Sequence, residues 1–164
     1  MHPTLPFVLT DAAPTAADID AITAIDRSSF PNPTVDVRAE IERPWARIWV
    51  ARPGPGQAPI AFLLVWFAAD EMHVLSLATR PDHRRSGIGR ALMERSLSEA
   101  RDRSTRIVLL EVRRSNQAAI DLYRRFGFSV SGVRARYYAN GEDAMEMALV
   151  LGPGSGQDKP CAET

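Results

Sequence analysis

The placement of proline constrains this chain most. Of twelve prolines, nine fall within residues 1–59, one is Pro81 and two are Pro153 and Pro160. Asp82 to Gly152 is therefore free of the residue that most strongly breaks helices and interior strands, and a continuous scaffold is expected there. The run Gly152-Pro153-Gly154-Ser155-Gly156-Gln157 and the residues after it read as a flexible tail. The expected organisation is an N-terminal segment (1–15), one domain (16–151) and that tail (152–164), without internal repeats.

Apolar spacing supplies the elements. Ile19, Ile22 and Ile25 mark a short helix over Asp18 to Arg27, and a second runs from Thr34, a candidate cap, to Arg43. Strands are expected at Arg47 to Ala51, at the apolar run Ile60 to Ala68, and, after a turn at Asp70-Glu71, at Met72 to Thr79. Ile88, Leu92, Met93, Leu97 and Ala100 form one helix face. Next come a strand at Arg106 to Val112 and a helix at Asn116 to Phe126 stopped by Gly127. Ser129 to Tyr138 and Ala144 to Val150 flank Asn140-Gly141, a strong hairpin signal. This order predicts an α/β (α+β) fold, a central mixed β-sheet with helices on both faces.

Twenty basic and twenty acidic residues cancel, which argues against a coat for nucleic acid or anionic membrane. The distribution is uneven. Residues 80–136 hold fourteen Arg against six acids, a net +8, and the remainder holds six basic and fourteen acidic residues, a net −8, so the middle suits an anion. The single cysteine, Cys161, permits no internal disulfide. The longest apolar run, Ile60 to Ala69, is ten residues, about half of the ~20 needed for a membrane-spanning helix. No Lys or Arg precedes Arg27, so the basic region of a signal peptide is missing and the expected location is the cytoplasm.

Between the third strand and its helix lies Arg80-Pro81-Asp82-His83-Arg84-Arg85-Ser86-Gly87-Ile88-Gly89-Arg90. A strand running through a glycine loop into a helix aims free backbone N–H groups and the positive helix end at one point, where phosphate fits. Gly87 and Gly89 permit close backbone approach, and Arg84, Arg85 and Arg90 add charge. A Walker loop would need a Lys-Ser/Thr pair, and the only lysine is Lys159. A dinucleotide fingerprint would want glycine where Leu92 stands. His2, His73 and His83 have no metal-ligand spacing, so no metal is expected. A diphosphate held by backbone amides remains.

Arg84-Arg85-Ser86-Gly87-Ile88-Gly89 resembles the Arg/Gln-x-x-Gly-x-Gly/Ala loop of the GNAT acyltransferases, and Leu77-Ala78-Thr79-Arg80-Pro81 resembles the stretch before it. The resemblance spans about Ala16 to Val150. Leu110-Glu111-Val112-Arg113-Arg114-Ser115-Asn116, continuing to Tyr123 and Phe126-Gly127-Phe128, is similar to the RimI-type branch, protein N-terminal alanine acetyltransferases acting on a ribosomal protein. Arg136-Tyr137-Tyr138, Gly141-Glu142-Asp143-Ala144 and Ser29-Phe30-Pro31-Asn32-Pro33 match the same branch, although Thr34 stands where relatives often have Trp.

The resemblance implies a GNAT fold and an acetyl-CoA co-substrate. Its diphosphate would be held by Arg84, Arg85, Ser86, Gly87, Ile88, Gly89 and Arg90, and its pantetheine arm by Leu77, Ala78 and Thr79 of a bulged, splayed strand, with Asn116 in contact. Glu111, the one acid in the apolar strand Ile107 to Val112, either faces water or sits at the reaction centre; the resemblance makes it the general base, through water. Tyr123 lies on the sheet-facing side of its helix, as a core aromatic would, and the matching family tyrosine protonates the departing thiolate. Phe30, Pro31, Tyr137 and Tyr138 would line the entry for the acceptor, a protein or peptide N-terminus. Amine chemistry agrees, because at pH 7 about 14% of an α-amine but only roughly 0.04% of a lysine amine is neutral. With Cys161 out in the tail, direct transfer in a ternary complex is expected rather than an acyl-cysteine. A small-amine or lysine acetyltransferase and a non-catalytic acetyl-CoA-binding module are the alternatives.

Overall fold

The computed structural model describes residues 6–11, 13–30 and 35–152. Among these residues seven strands, β1 (Val8–Thr10), β2 (Ala46–Arg52), β3 (Ala61–Ala68), β4 (Glu71–Thr79), β5 (Ile107–Arg113), β6 (Ser129–Arg134) and β7 (Ala144–Val150), form one sheet in the order β1-β2-β3-β4-β5-β7-β6. Only β4 and β5 pair in parallel; the other neighbours are antiparallel. The ten-residue apolar run becomes β3, a central strand whose residues Ala61 to Val65 are buried by helices on both sides.

Helices α1 (Ala16–Ser29) and α2 (Val37–Ile41) cover one face and pack Ile22, Ile25 and Val37 on Ile48, Val50, Phe62 and Leu64. Helices α3 (Ile88–Asp102) and α4 (Gln117–Arg125) cover the other face, where Ile88, Leu92, Met93, Leu97, Ile120 and Tyr123 meet Trp49, Leu63, Val65 and Val108. The expected helices on both faces are therefore present. No described helix is long and apolar enough to cross a membrane.

β4 decides where the sheet opens. Leu64 pairs with Ser76 but Val65 pairs with Val74, so Leu75 is an extra residue, a β-bulge that reverses which face each later side chain meets. Before the bulge Met72 and Val74 join the α3/α4 core. After it Ala78 joins the α1/α2 core, and the Ser76 hydroxyl donates to the buried Asp26 carboxylate of α1 at 2.8 Å. The parallel ladder with β5 stops at the same level: Val74 pairs with Leu110, and the pairing ends there. The strands part between the bulge and Thr79.

The structure differs from the sequence reading at several ends. β1, within the segment assigned to residues 1–15, has no counterpart among the expected elements; it is three residues long and pairs with β2. Thr34 lies outside the described residues, and the cap of α2 is Asp36, whose carboxylate accepts from Ala39 N–H. Pro81–His83 form a 3₁₀ turn inside the expected loop. β6 ends at Arg134 rather than Tyr138, because the backbone beyond it is drawn into a turn instead of the ladder: Arg136 N–H donates to Asp143 Oδ1 at 2.9 Å, and Tyr138 N–H to Glu142 O at 3.1 Å. Asn140-Gly141 thus closes a turn inside a longer connection, with Gly141 N–H bonded to Tyr138 O at 2.8 Å.

The start of α1 is secured twice. Thr15 and Asp18 form a reciprocal capping box, and both oxygens of Asp18 accept from Arg52 at 2.8 and 2.9 Å. Each side chain is 12% exposed, so solvent screens the pair little. Arg52 holds the Asp18 carboxyl well below the ordinary 3.8, at about 2. The stability this adds, about 2 kcal/mol, is complete above pH 3.8 and lost as pH falls from there through 2. Denaturant melts over pH 2–6 should show that decline in the wild type and lack its share in Asp18→Asn; parallel curves would refute the assignment.

Candidate active site

The gap between β4 and β5 opens into a cavity of about 550 Å³. Leu75, Ser76 and Leu77 form its β4 wall, Leu110 to Arg113 its β5 wall, Asn116, Ala119 and Tyr123 of the α4 region one end, and Tyr137 and Tyr138 a flap from the β6–β7 connection. Phe30, Asp26 and Glu40 enter from the α1/α2 face. Burial pushes the Asp26 carboxyl above the usual carboxylate range, against the smaller opposing effect of the Ser76 hydrogen bond.

At the far end of β4 the chain turns into α3. Gly87 is the N-cap, left-handed at φ +80°, and the first turn has no side-chain cap, so no side chain competes for its N–H groups. Arg85 is also left-handed at φ +61°, and Arg84 Nε braces the loop on Thr79 O at 3.1 Å. A Cβ on Gly87 would meet nothing within 4 Å, so the loop is open on that side. A loop of this form, with the helix dipole behind it, has the geometry that suits an anion. Arg90 pairs with Glu94 at 2.9 Å. Ile88 is buried in the core, so only its backbone could serve a ligand, and the same holds for Ala78.

Glu111 leaves β5 toward the cavity, where Arg134 Nη1 lies 3.2 Å from its Oε1. The Tyr137 phenol is pushed up chiefly by hydrogen bonding to Glu111, then by burial. Tyr123 is 6% exposed and packs on Phe128 with ring centroids 5.7 Å apart, yet it also lines the cavity. Burial, with a smaller contribution from Tyr138, raises its phenol far above the ordinary 10, so it holds its proton firmly. The core and cavity readings of Tyr123 both apply, to different parts of one side chain. Asn116 caps α4, its Oδ1 accepting from Ala119 N–H at 3.2 Å, and faces the cavity.

The flap is fastened to the corner between β5 and α4. The Arg113 guanidinium sits 3.8 Å from the Tyr138 ring centroid and 3.2 Å from Glu142, while the other Glu142 oxygen accepts Ser115 N–H at 2.8 Å. These donors bring the Glu142 carboxyl down to about 2, and burial pushes the Tyr138 phenol up to about 12.

Glu111, Tyr123, Leu77, Asn116, Phe30, Tyr137 and Tyr138 therefore meet at one cavity, while Thr79 at the end of β4 and the turn Arg84 to Arg90 into α3 adjoin it rather than line it. Pro31 lies outside the described residues. Sequence reasoning missed Arg113, Arg134 and Glu146 at the cavity, and the buried Asp26–Ser76 pair. For Glu146 a signal existed: it is the one charge in the apolar strand Ala144–Val150, the feature that singled out Glu111.

Residues 19–128 match the family described as Acetyltransferase (GNAT) family. A relative from Bacillus subtilis (strain 168) is 33% identical over 138 residues, 82% of this chain and 90% of its own length. The crystal structure of the ribosomal-protein-S18-alanine N-acetyltransferase from Escherichia coli superposes with a TM-score of 0.76 at 30% identity, over 89% of this chain and 94% of that one. Arabidopsis thaliana NAA60, solved in complex with acetyl-CoA, shares the fold with a TM-score of 0.76 at 18% identity, over 88% and 98%. The open mixed sheet is the GNAT fold, and the chain belongs to the GNAT acetyltransferase family and is an acyltransferase.

Proposed function

We propose that the protein transfers the acetyl group of acetyl-CoA to the N-terminal α-amine of a protein in the cytoplasm, with an N-terminal alanine of a ribosomal protein as the first acceptor to try. The observation that carries this reading is the meeting of Glu111 and Tyr123 on one cavity, at the splay whose β4 wall runs on into the open α3 amides. The relative of known structure, named for acetylating the alanine of a ribosomal protein, supports the acceptor.

Each residue then has a task. The free N–H groups from Gly87 to Arg90 hold the diphosphate, and the unpaired edge of β4 from Leu75 to Thr79 offers backbone groups to the pantetheine arm and the thioester carbonyl. Glu111 takes a proton from the acceptor amine, directly or through one water, and the amine attacks the carbonyl carbon. As the carbon–sulfur bond breaks, Tyr123 gives its proton to the thiolate; its raised phenol keeps that proton in place until charge develops on sulfur. Phe30, Tyr137 and Tyr138 guide the acceptor backbone.

Glu111→Gln should lower kcat by about 10²-fold on a peptide beginning with alanine, with acetyl-CoA affinity within two-fold of wild type by calorimetry. Tyr123→Phe should lower kcat by at least ten-fold; wild-type turnover would leave Tyr123 with its core role alone. Gly87→Val should weaken coenzyme A binding by more than ten-fold, since φ +80° strains a β-branched residue and its side chain would stand where the diphosphate approaches. An alanine peptide with a free N-terminus should be acetylated and its N-blocked twin should not; turnover of small amines with none of free N-terminal peptides would reverse the choice of acceptor.

A further inference from the structure

Glu111 is not alone on its face of the sheet. β5 and β7 pair so that Glu111 stands directly opposite Glu146, an arrangement of like charges that destabilises a sheet unless a cation joins it. Arg134 of β6 is that cation. Its Nε donates to Glu146 Oε1 at 2.6 Å, while Nη1 lies 3.2 Å from Glu111 Oε1. The guanidinium reaches both acids, but its Nε bond is engaged by Glu146.

β6 makes room for this. Its register with β7 slips between Val130 and Gly132, a bulge at Ser131, and Gly132 lands opposite Glu146. A Cβ at 132 would collide with Glu146 Oε2, so glycine leaves the slot in which that carboxylate lies. Other groups facing Glu111 are the Tyr137 phenol and, farther off, Tyr138 with the Arg113–Glu142 pair beneath it.

We propose that Glu146 is a positioning residue for Glu111, acting through Arg134. A guanidinium favours two parallel bonds to one carboxylate. Without Glu146, Arg134 turns its Nε–Nη edge onto Glu111 and bonds both oxygens, which lowers the carboxylate's basicity toward the acceptor's proton. With Glu146 in place Arg134 reaches Glu111 through Nη1 alone, at Oε1 and beside the Tyr137 phenol, and the carboxylate keeps more of its capacity to accept the amine's proton. The inference rests on the reading of Glu111 as the base.

A kinetic double-mutant cycle tests it on the full-length protein, with acetyl-CoA and an alanine-initiated peptide. Glu146→Gln should lower kcat five- to ten-fold with KM for acetyl-CoA within two-fold, and its crystal structure should show Arg134 on both Glu111 oxygens. In an Arg134→Gln background the same substitution should lose its effect. Gly132→Ala, which displaces the Glu146 carboxylate while keeping every charge, should lower kcat in the same direction should Glu146→Gln fold poorly. Wild-type kcat in Glu146→Gln, or an equal loss with and without Arg134, overturns the role of Glu146. Running Glu111→Gln beside these separates the failures: if it turns over normally the base assignment and the proposal fall together, and if it is inactive only the proposal is at stake.

Discussion

The end of the β4–β5 ladder after Val74 and Leu110 is the constraint on which the rest depends. Backbone groups left unpaired inside a protein are costly, so a sheet that stops pairing in its middle needs something else to meet them. Here the bulge at Leu75 turns β4 away, and the freed edge borders a cavity of about 550 Å³ in place of a neighbouring strand. An extended thioester arm can use that edge as a strand would.

The elements around the gap are tied to one another. Arg84 ties the glycine loop to Thr79, Asn116 caps α4 at the cavity's end, and the Arg113–Glu142–Ser115 contacts pin the Tyr137–Tyr138 flap to the corner after β5. Most of these bonds are charge-assisted or made to backbone, which fixes geometry at modest stability cost. Exposure differs across the site in a way that suits its chemistry. Tyr123 sits where a phenol cannot readily ionise, whereas Arg134 is 53% exposed and its two acids are only partly covered, so their charges remain hydrated.

Much of the fold is legible in one dimension. The spacing of Ile88, Leu92, Met93, Leu97 and Ala100 marks α3, the apolar run at residues 60–69 marks the central strand, and Gly127 ends α4 with φ +96° as a left-handed cap. β1 is invisible in the sequence because three residues carry too little periodicity, and the end of β6 is misleading because Tyr137 and Tyr138 suit a strand locally. What overrides that preference is the turn within the connection, where Asp143 accepts from Arg136 N–H, together with one long-range contact, Glu142 accepting from Ser115 N–H.

By itself the amino-acid order determined the glycine loop between β4 and α3, the isolated acid in β5, the sheet-facing tyrosine in α4 and the family these motifs resemble, because each is a local pattern of residue type and spacing. Only the tertiary structure decided that Glu111 faces Glu146 across one register and that Arg134, two strands away, stands between them. Strand register and a glycine slot at residue 132 are properties of pairing between segments far apart in the chain, and no local pattern encodes them.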